Sequence, residues 1–426
     1  MRNMSNLESK RQDFPVLDFS ERATTAPCGG EDGSRRKERN LQDQSMAAGY
    51  GLNGMRESRI EMPAELPMMT DLERFHATMN YCSRDRAPFH EFPWPTWSET
   101  ADQWVTEGGY DPQTIDFGCD RWVIETQWFF PTPPFEREIL EQDETTITYV
   151  DPQGIIMREF KKNPQSSMPT FLRFPVETRA DFRKFWVERM QPDLTARIGP
   201  DRRERLGAHR DRDYVLVLLA DRWGGFFGSL RNLVGVERLC TLFYDDPAFV
   251  EEMMEADADF LIAMLSQILE CTSFDVFGFW EDMAYKAGPL IGPNLVRKFM
   301  VPRYRKVIDF ARSRGVRWFA LDSDGDVNLL IRPWMDAGID ILYPWEVQAG
   351  MDVNAIRKKY GRDLRLWGGL DKRALTHGKA EIDAEIARHK RIIDDGGFVP
   401  MLDHSAPPDI PYRNYCYFME QLLKAL

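Results

Sequence analysis

The chain has 426 residues, a net charge of −13 and 43% hydrophobic residues, the values of a folded protein with one large domain or two ordinary ones. This acidic balance excludes a nucleic-acid backbone as the expected partner, because no basic stripe would neutralise its phosphates. The longest apolar run, at 215–220, is too short to cross a membrane, and no secretory signal opens the sequence, so we expect a cytoplasmic protein with free thiols.

The amino-terminal part of the sequence lacks regular hydrophobic periodicity. Residues 1–58 are polar and charged, which predicts a flexible leader, and the folded domain is expected over 59–426. A helical pattern begins at Asp71, and residues 87–92 form a candidate first strand. Trp and Pro then accumulate over 92–110, which predicts an irregular amino-terminal insertion rather than a regular element.

A hairpin and a helix are predicted before the regular region. Residues 145–150 and 154–160 have strand-like composition on either side of the turn sequence Asp-Pro-Gln-Gly, which is typical of a hairpin. The hydrophobic spacing over 177–190 predicts a short helix.

From Tyr214 onwards, strand-like and helix-like segments alternate. The predicted strands are 214–220, 275–280, 317–321, 340–345, 365–370 and 397–402. The predicted helices are 229–242, 247–270, 294–313, 328–337, 352–359, 379–394 and 411–425. Repeated strand–helix units indicate a parallel sheet covered by helices, and an eight-stranded (β/α)8 TIM-type barrel is the simplest closure. An open doubly wound sheet is the alternative, but no Gly-x-Gly-x-x-Gly turn follows a strand.

Acidic residues follow every predicted strand of this region. In a (β/α) barrel these positions meet at the carboxyl ends of the strands, where active sites lie. The acids are Asp221, Glu281, Asp282, Asp322, Asp324, Glu346, Asp371 and Asp403. Clustered carboxylates repel one another and require compensation by a metal ion, a cationic substrate or basic side chains such as Arg222, Lys286 and Lys372.

A hard-metal or zinc site is one interpretation of this cluster. Asp322 and Asp324 on one loop, with His404 from a later strand, form a plausible ligand set for a divalent metal such as zinc. The alternative is structural: the two aspartates would brace the turn at Gly325, and His404 would bind a backbone carbonyl. His389 lies in a predicted helix and His377 just before it, and both are expected to be solvated.

An aromatic and glycine-rich run follows the first strand of the regular region. The sequence Trp-Gly-Gly-Phe-Phe-Gly at 223–228 places large rings beside glycines that would allow a ligand to approach the backbone. Trp223 and Phe226 are therefore predicted to contact substrate, although a tight structural turn would need the same residues.

Taken together, these motifs resemble the uroporphyrinogen decarboxylase superfamily, which includes corrinoid-dependent methyltransferases. The resemblance is carried by stretches at 223–231, 244–247, 281–289, 322–326, 343–346, 368–372, 396–398, 403–404 and 407–411. It implies a single (β/α)8 barrel. It also implies catalytic roles for Glu281, Asp282, Asp322, Asp324 and His404, and substrate contacts from Arg222, Lys286, Tyr343, Glu346 and Asp371 in addition to the two aromatic residues.

Two departures from the superfamily's patterns bear on the reaction. Methyltransferases of the group hold zinc with a His-x-Cys pair and a later Cys, but these positions are Asp322, Asp324 and His404 in this chain, so both thiolates are missing. The sequence thus represents a subgroup with Asp-Ser-Asp-Gly in place of His-x-Cys-Gly. The decarboxylases carry an arginine pair near the first strand, whereas here Arg84 and Arg86 precede the candidate strand and residues 88–100 contain no arginine.

Three functions are open on this basis. The favoured one is transfer of a methyl group between a small methylated compound and a corrinoid held by a partner protein, or another acceptor, with or without a metal. The second is decarboxylation of a porphyrinogen or a smaller acid, which would need no cofactor. The third is a barrel that binds a ligand without turnover. Whether the protein forms a homodimer is left open by the sequence.

Overall fold

The computed structural model describes residues 68–426, except for 94–95, 112–114, 163 and 165–166. The predicted leader at 1–58 lies outside the described residues. The regular region from Tyr214 onwards alternates between strands and helices as its sequence pattern predicts.

In the residues that the structure describes, seven parallel strands form the central sheet, and each pairs with the next one along the chain. They are β1 (Trp122–Glu125), β2 (Val215–Leu219), β3 (Val276–Trp280), β4 (Trp318–Asp322), β5 (Ile341–Tyr343), β6 (Arg365–Trp367) and β7 (Phe398–Val399). The apolar run that predicted β2 is buried at every residue, as expected for a strand covered on both faces.

The sheet curls so that distant strands meet across its interior. The rings of Trp122 on β1 and Trp367 on β6 are 5.1 Å apart, and Phe75 contacts both. In a flat sheet these two strands would be separated by about 24 Å, since neighbouring strands are about 4.8 Å apart. The α/β class and the barrel-like curvature of the sheet are therefore clear, whereas closure by an eighth strand stays a prediction.

The prediction of a first strand at 87–92 is wrong. These residues are described without strand pairing, and the first strand of the sheet is β1. Ala87 and Phe89 are fully buried, which explains their apolar character. Pro88 offers no N–H to a ladder, and the N–H of Phe89 is bonded to the side chain of Asp120 instead of a strand.

A helix closes the amino-terminal end of the sheet. Asp71–Met79 begins with a capping box between Thr70 and Glu73 and places Phe75 and Met79 in the interior cluster of strand residues. His76 of this helix contacts Asp275 and Trp318, which lie at the starts of β3 and β4. Because the bottom of the interior is filled, the carboxyl ends of the strands form the accessible mouth.

Helices surround the sheet, one at its amino-terminal end and others on its outer face. Within the described residues they are Asp71–Met79, Ser98–Glu107, Arg179–Arg189, Leu194–Ile198, Arg202–Gly207, Gly228–Val234, Val236–Asp245, Pro247–Ile268, Pro293–Leu295, Val301–Ser313, Ile331–Ala337, Val353–Tyr360, Ala374–His377, Lys379–Asp395 and Tyr412–Ala425. Single turns of 3-10 helix at Asp221–Trp223 and Val347–Ala349 and a π-helical turn at Val296–Met300 complete the set. None of these described helices combines the length and apolarity that a membrane crossing needs.

A separate antiparallel sheet precedes β2. Its four strands, in order, are Glu138–Gln142, Thr146–Val150, Ile156–Phe160 and Thr170–Arg173. The two central strands confirm the predicted hairpin, whose turn is held by the carboxylate of Asp151 accepting the N–H groups of Gln153 and Ile155. The five described cysteines are free thiols, as expected.

Candidate active site

Three side chains from different strand ends converge at the mouth. Ligand atoms of Asp324, Glu346 and His404, from the loops after β4, β5 and β7, all lie within 4.8 Å of one another. The Nε2 atom of His404 is 3.7 Å from Oδ2 of Asp324, and Oε2 of Glu346 accepts the N–H of Gly325 at 2.9 Å. The predicted partners Asp324 and His404 thus meet, and Glu346 occupies the position of the third ligand that the sequence analysis assigned to Asp322.

The charges of this triad perturb one another. Burial raises the pKa of Glu346 above its ordinary value, and the neighbouring charge of Asp324 raises it further. Burial alone would lower the pKa of His404, but the carboxylate of Asp324 outweighs this effect and raises it. Lys372, which lies in the loop after β6, lowers the pKa of both groups and so opposes both shifts. Such perturbed pKa values in one cleft are typical of functional sites.

Two aromatic rings pack against the imidazole of His404. Phe92 stacks on the imidazole at a centroid distance of 5.4 Å, and Trp97 meets it edge-on at 6.1 Å. Both belong to the Trp- and Pro-rich insertion, which therefore roofs part of the mouth. In the described part of the chain the buried Nδ1 atom of His404 has no hydrogen-bond partner.

Tyr343 forms the floor beneath the acidic groups. Its ring lies in the interior cluster, and its hydroxyl is within van der Waals distance, 3.8 Å, of a side-chain carbon placed on Gly278. That carbon would lie 2.5 Å from the side chain of Leu219, which is the contact that requires glycine there. Burial raises the pKa of Tyr343 well above its usual value, and the charges of Asp322, Asp221 and Asp324 add to the shift. The sequence prediction that Tyr343 belongs to the site is compatible with this position.

Three residues at the mouth have strained backbone conformations. Asp221, Asp282 and Trp345 have φ angles of 50°, 41° and 67°, in the left-handed region that residues with side chains rarely adopt. They follow β2, β3 and β5, respectively. The surrounding contacts therefore hold the loops at these strand ends in unfavourable geometries, which is common where side chains must be aimed at a ligand.

Glu281 is buried beneath the glycine-rich loop. Its carboxylate accepts the N–H groups of Phe226, Phe227 and Gly228 at 2.7, 2.6 and 2.8 Å and the hydroxyl of Tyr304. Burial raises its pKa to about 7, although these hydrogen bonds oppose the shift. Glu281 thus anchors the loop after β2, and its predicted catalytic role stays a prediction.

Asp282, in contrast, is partly exposed and paired with Arg231. Its Oδ2 atom accepts a 2.6 Å hydrogen bond from Arg231, and burial raises its pKa while Arg231 opposes the shift. The charge of Asp324 raises that pKa further, so these two carboxylates interact. The guanidinium groups of Arg231 and Arg222 lie 5.4 and 6.0 Å from the ring of Trp280.

The structure does not bring the remaining predicted residues into this cluster. Trp223 and Phe226 are fully buried: Trp223 stacks on Phe185 and donates to Gln153, while Phe226 packs on Tyr304. Both occupy positions of core residues.

Lys286 is exposed in a short hairpin, and Asp371 is paired with Arg373 at 2.7 Å. Contacts of Trp223, Phe226, Lys286 and Asp371 with substrate stay predictions. The prediction for His389 is wrong: it is fully buried and its Nε2 atom is 2.8 Å from Glu385, because helix Lys379–Asp395 turns this face inward.

Two residues to which the sequence analysis gave no specific role contribute to the site. Asp403 is 1% exposed and bonds two neighbouring loops. Tyr304 binds Glu281 from helix Val301–Ser313. The position of Asp403 directly after a predicted strand was a usable signal, whereas nothing in the sequence distinguishes Tyr304 from an ordinary core residue.

The carboxyl-terminal half of the chain is similar to a known family. Residues 223–424, just under half of the chain, match the model of the family described as uroporphyrinogen decarboxylase (URO-D). The structure is similar to that of a methyltransferase from Methanosarcina mazei, with a TM-score of 0.54 and 17% identity over 84% of this chain and 98% of that chain.

More distant likenesses add no argument. A B12-independent methionine synthase from Shewanella sp. W3-18-1 is 10% identical over 68% of this chain and 73% of that chain, with a TM-score of 0.36. No curated protein matches the sequence. The family match and the shared fold together support the uroporphyrinogen decarboxylase superfamily as the group that this chain resembles.

Proposed function

We propose that the protein is an enzyme that transfers a methyl group from a small, cationic or electron-poor methylated compound to an acceptor. The observation that carries the proposal is the convergence of Asp324, Glu346 and His404 from three strand ends at the open end of the sheet. The likeness to the family and to the fold of a methyltransferase supports the choice of reaction. The Asp-Ser-Asp-Gly sequence at 322–325 would then define a subgroup within a (β/α)8 barrel.

The donor set fits a divalent metal ion. Two carboxylates and one imidazole suit zinc, manganese or iron, and the three loops leave further coordination positions to substrate or water. We therefore propose Asp324, Glu346 and His404 as its ligands, with Asp322 nearby at the end of β4. When bound, the ion would act as a Lewis acid that polarises the group leaving the methyl carbon.

The same residues have a chemical role without a metal. A methyl group leaves as the bond between its carbon and the donor heteroatom breaks, and the electron pair stays on that heteroatom. A neutral donor then requires a proton, which His404 can supply because the carboxylate of Asp324 raises its pKa. A cationic donor needs no proton, and its positive charge is favoured by Asp324, Glu346 and Asp282.

The acceptor is a further part of the proposal. The resemblance implies a corrinoid carried by a partner protein, which would approach the mouth from the side opposite to helix Asp71–Met79. In this scheme the methyl carbon forms its new bond to the acceptor as its bond to the donor breaks.

Decarboxylation is the second candidate, and one observation favours it. Asp282 and Glu346 both have raised pKa values and can hold a proton for a carbanion-like centre. Against it, Arg84 donates to the carbonyls of Ile393 and Asp394, and Arg86 binds Asp120. Both arginines are thus engaged structurally, away from any acidic substrate arms.

Elemental mass spectrometry of the purified protein tests the metal, with an Asp324→Ala, His404→Ala double variant measured alongside. Near-stoichiometric metal that disappears in the variant supports the proposed site. A metal-free protein makes the three residues direct acid–base and binding groups instead.

A screen for turnover then separates the reactions. Methylated amines, ethers and thioethers would be incubated with reduced cobalamin as acceptor, and methylcobalamin would be followed by its absorbance. Porphyrinogens and small carboxylic acids would be followed by release of carbon dioxide. Methyl transfer lost in the double variant supports the proposal, carbon dioxide release favours the second candidate, and ligand binding without turnover would leave a non-catalytic barrel.

A further inference from the structure

One buried carboxylate links the loops that carry the converging residues. Oδ2 of Asp403 accepts the N–H of Val347 at 2.9 Å, and Oδ1 accepts the N–H of Lys372 at 3.1 Å. These donors are 56 and 31 residues away in the chain, so the contacts are not those of a local turn. Asp403 itself is 1% exposed and directly precedes His404.

The residues joined by these bonds are next to the site residues in the sequence, so the bonds also set the positions of those site residues. Val347 directly follows Glu346, Lys372 supplies its own side chain, and Asp403 directly precedes His404. A single carboxylate therefore connects the loops after β5, β6 and β7. The loops after β6 and β7 also pair through the N–H of Asp403 and the carbonyl of Leu370 at 2.8 Å.

We propose that Asp403 is a positioning residue that holds Glu346, Lys372 and His404 in register at the mouth. The effect of Asp403 on catalysis rests on the proposed function of this site. The hydrogen bonds by which Asp403 joins the three loops do not, because they belong to the fold. A buried carboxylate is expensive to desolvate unless it is hydrogen-bonded, and here both oxygens receive backbone N–H groups. A purely apolar residue would pack as well but would leave two buried N–H groups unpaired.

Asp403→Asn is the informative substitution because it conserves shape. The amide has one acceptor oxygen, and its NH2 group cannot accept from an N–H, so one of the two loops loses its bond. Asp340→Asn is the matched control. Asp340 accepts the N–H of Phe319 at 3.1 Å, but it lies at the start of β5, at the opposite end of the sheet.

Two measurements on the full-length protein test the proposal without substrate or metal. Amide hydrogen exchange should become about tenfold faster or more at Val347 or Lys372 in Asp403→Asn, because a charge-assisted bond is lost. The Cε1–H resonance of His404, assigned by its absence in His404→Gln, should move in Asp403→Asn and stay in place in Asp340→Asn.

Unchanged exchange at both amides, or an unmoved His404 resonance, would overturn the proposal. If Asp403→Asn does not fold, Asp403→Ser serves instead, since its hydroxyl can accept one of the two N–H groups. Neither amide exchange nor the His404 resonance depends on turnover. If the protein showed no activity in the substrate screen, the proposed reaction would be refuted, but the role of Asp403 could still be tested.

Discussion

The imidazole Nε2 of His404 lies 3.7 Å from Oδ2 of Asp324, although the two residues follow different strands. Burial lowers and Asp324 raises the pKa of His404, and the carboxylate dominates. This pair, with Glu346, is the arrangement on which the predicted chemistry depends.

Replacing either member of this pair should abolish turnover while leaving the fold intact. We expect His404→Gln and Asp324→Asn to lower kcat by at least about 100-fold, the usual effect of losing an acid–base group. Both side chains are partly exposed, at 24% and 33%, so the melting temperature should change by only a few degrees. His377→Gln, at an exposed position, is the control. A lower melting temperature with full activity would mean that the pair is only structural.

The pKa of Glu281 predicts a stability that depends on pH. Its folded value of about 7 is raised above the ordinary 4.5, so the folded state binds the proton more tightly than the unfolded state. The stabilisation from the protonated form is complete below about pH 4.5 and is lost as pH rises through about 7. The loss is on the order of 3 kcal/mol, from roughly 1.4 kcal/mol for each pKa unit.

Glu281→Gln removes this titration. Urea unfolding at several values between pH 4.5 and 8 should show a steeper decline of the unfolding free energy in the wild type than in the variant. Parallel curves would show that Glu281 keeps an ordinary pKa.

The glycine-rich loop should not tolerate a side chain at Gly225. A carbon added there would lie 1.9 Å from the carbonyl oxygen of Trp280 and 2.8 Å from the carboxyl carbon of Glu281. Neither group can move without breaking β3 or the bonds of Glu281, so Gly225→Ala should destabilise the fold by about 3 kcal/mol or more. Gly207→Ala is the control, because nothing lies within 4 Å of its added carbon. The melting temperatures of the two variants would be compared by circular dichroism. Equal values would refute the close contact between residue 225 and the carbonyl of Trp280.

Trp223→Phe distinguishes a core residue from a substrate contact. The variant keeps a ring against Phe185 but loses the 2.7 Å bond to Gln153 and some volume, which should lower the unfolding free energy by about 1–3 kcal/mol. If Trp223 is only a core residue, KM for the methyl donor should not change. A tenfold rise in KM at unchanged stability would restore the role predicted from the sequence.

The carboxyl-terminal half of the fold could be predicted because its pattern is local. The buried run that becomes β2 and the glycines at 315, 338 and 361, all with positive φ, mark strand starts and helix ends without tertiary information. The strand β1 could not be found in this way. Its four residues are all only half-buried, so they carry neither a continuous apolar run nor clear alternation.

The sequence was enough to predict where the site lies, but not which side chains contact one another there. Strand ends meet in a barrel, so Asp324 and His404 could be paired from sequence position alone. Which side chain points into the mouth depends on backbone angles that the sequence does not show. Glu281 therefore turns under the glycine-rich loop, while its neighbour Asp282, at a φ of 41°, faces Arg231.

The wall formed by the seven strands has a seam between β7 and β1. There, in the described residues, the backbone bonds are single ones, from the N–H of Gly397 to the carbonyl of Thr78 and from the N–H of Asp120 to that of Phe89. The side chain of Asp120 reinforces them by binding Arg86 and the N–H of Phe89. A segment held by isolated bonds opens at lower free energy than a continuous ladder. Between β7 and β1 the sheet thus depends on side-chain bonds where the other strands have a ladder, so we expect amide hydrogen exchange to be faster along this seam than between β2 and β6.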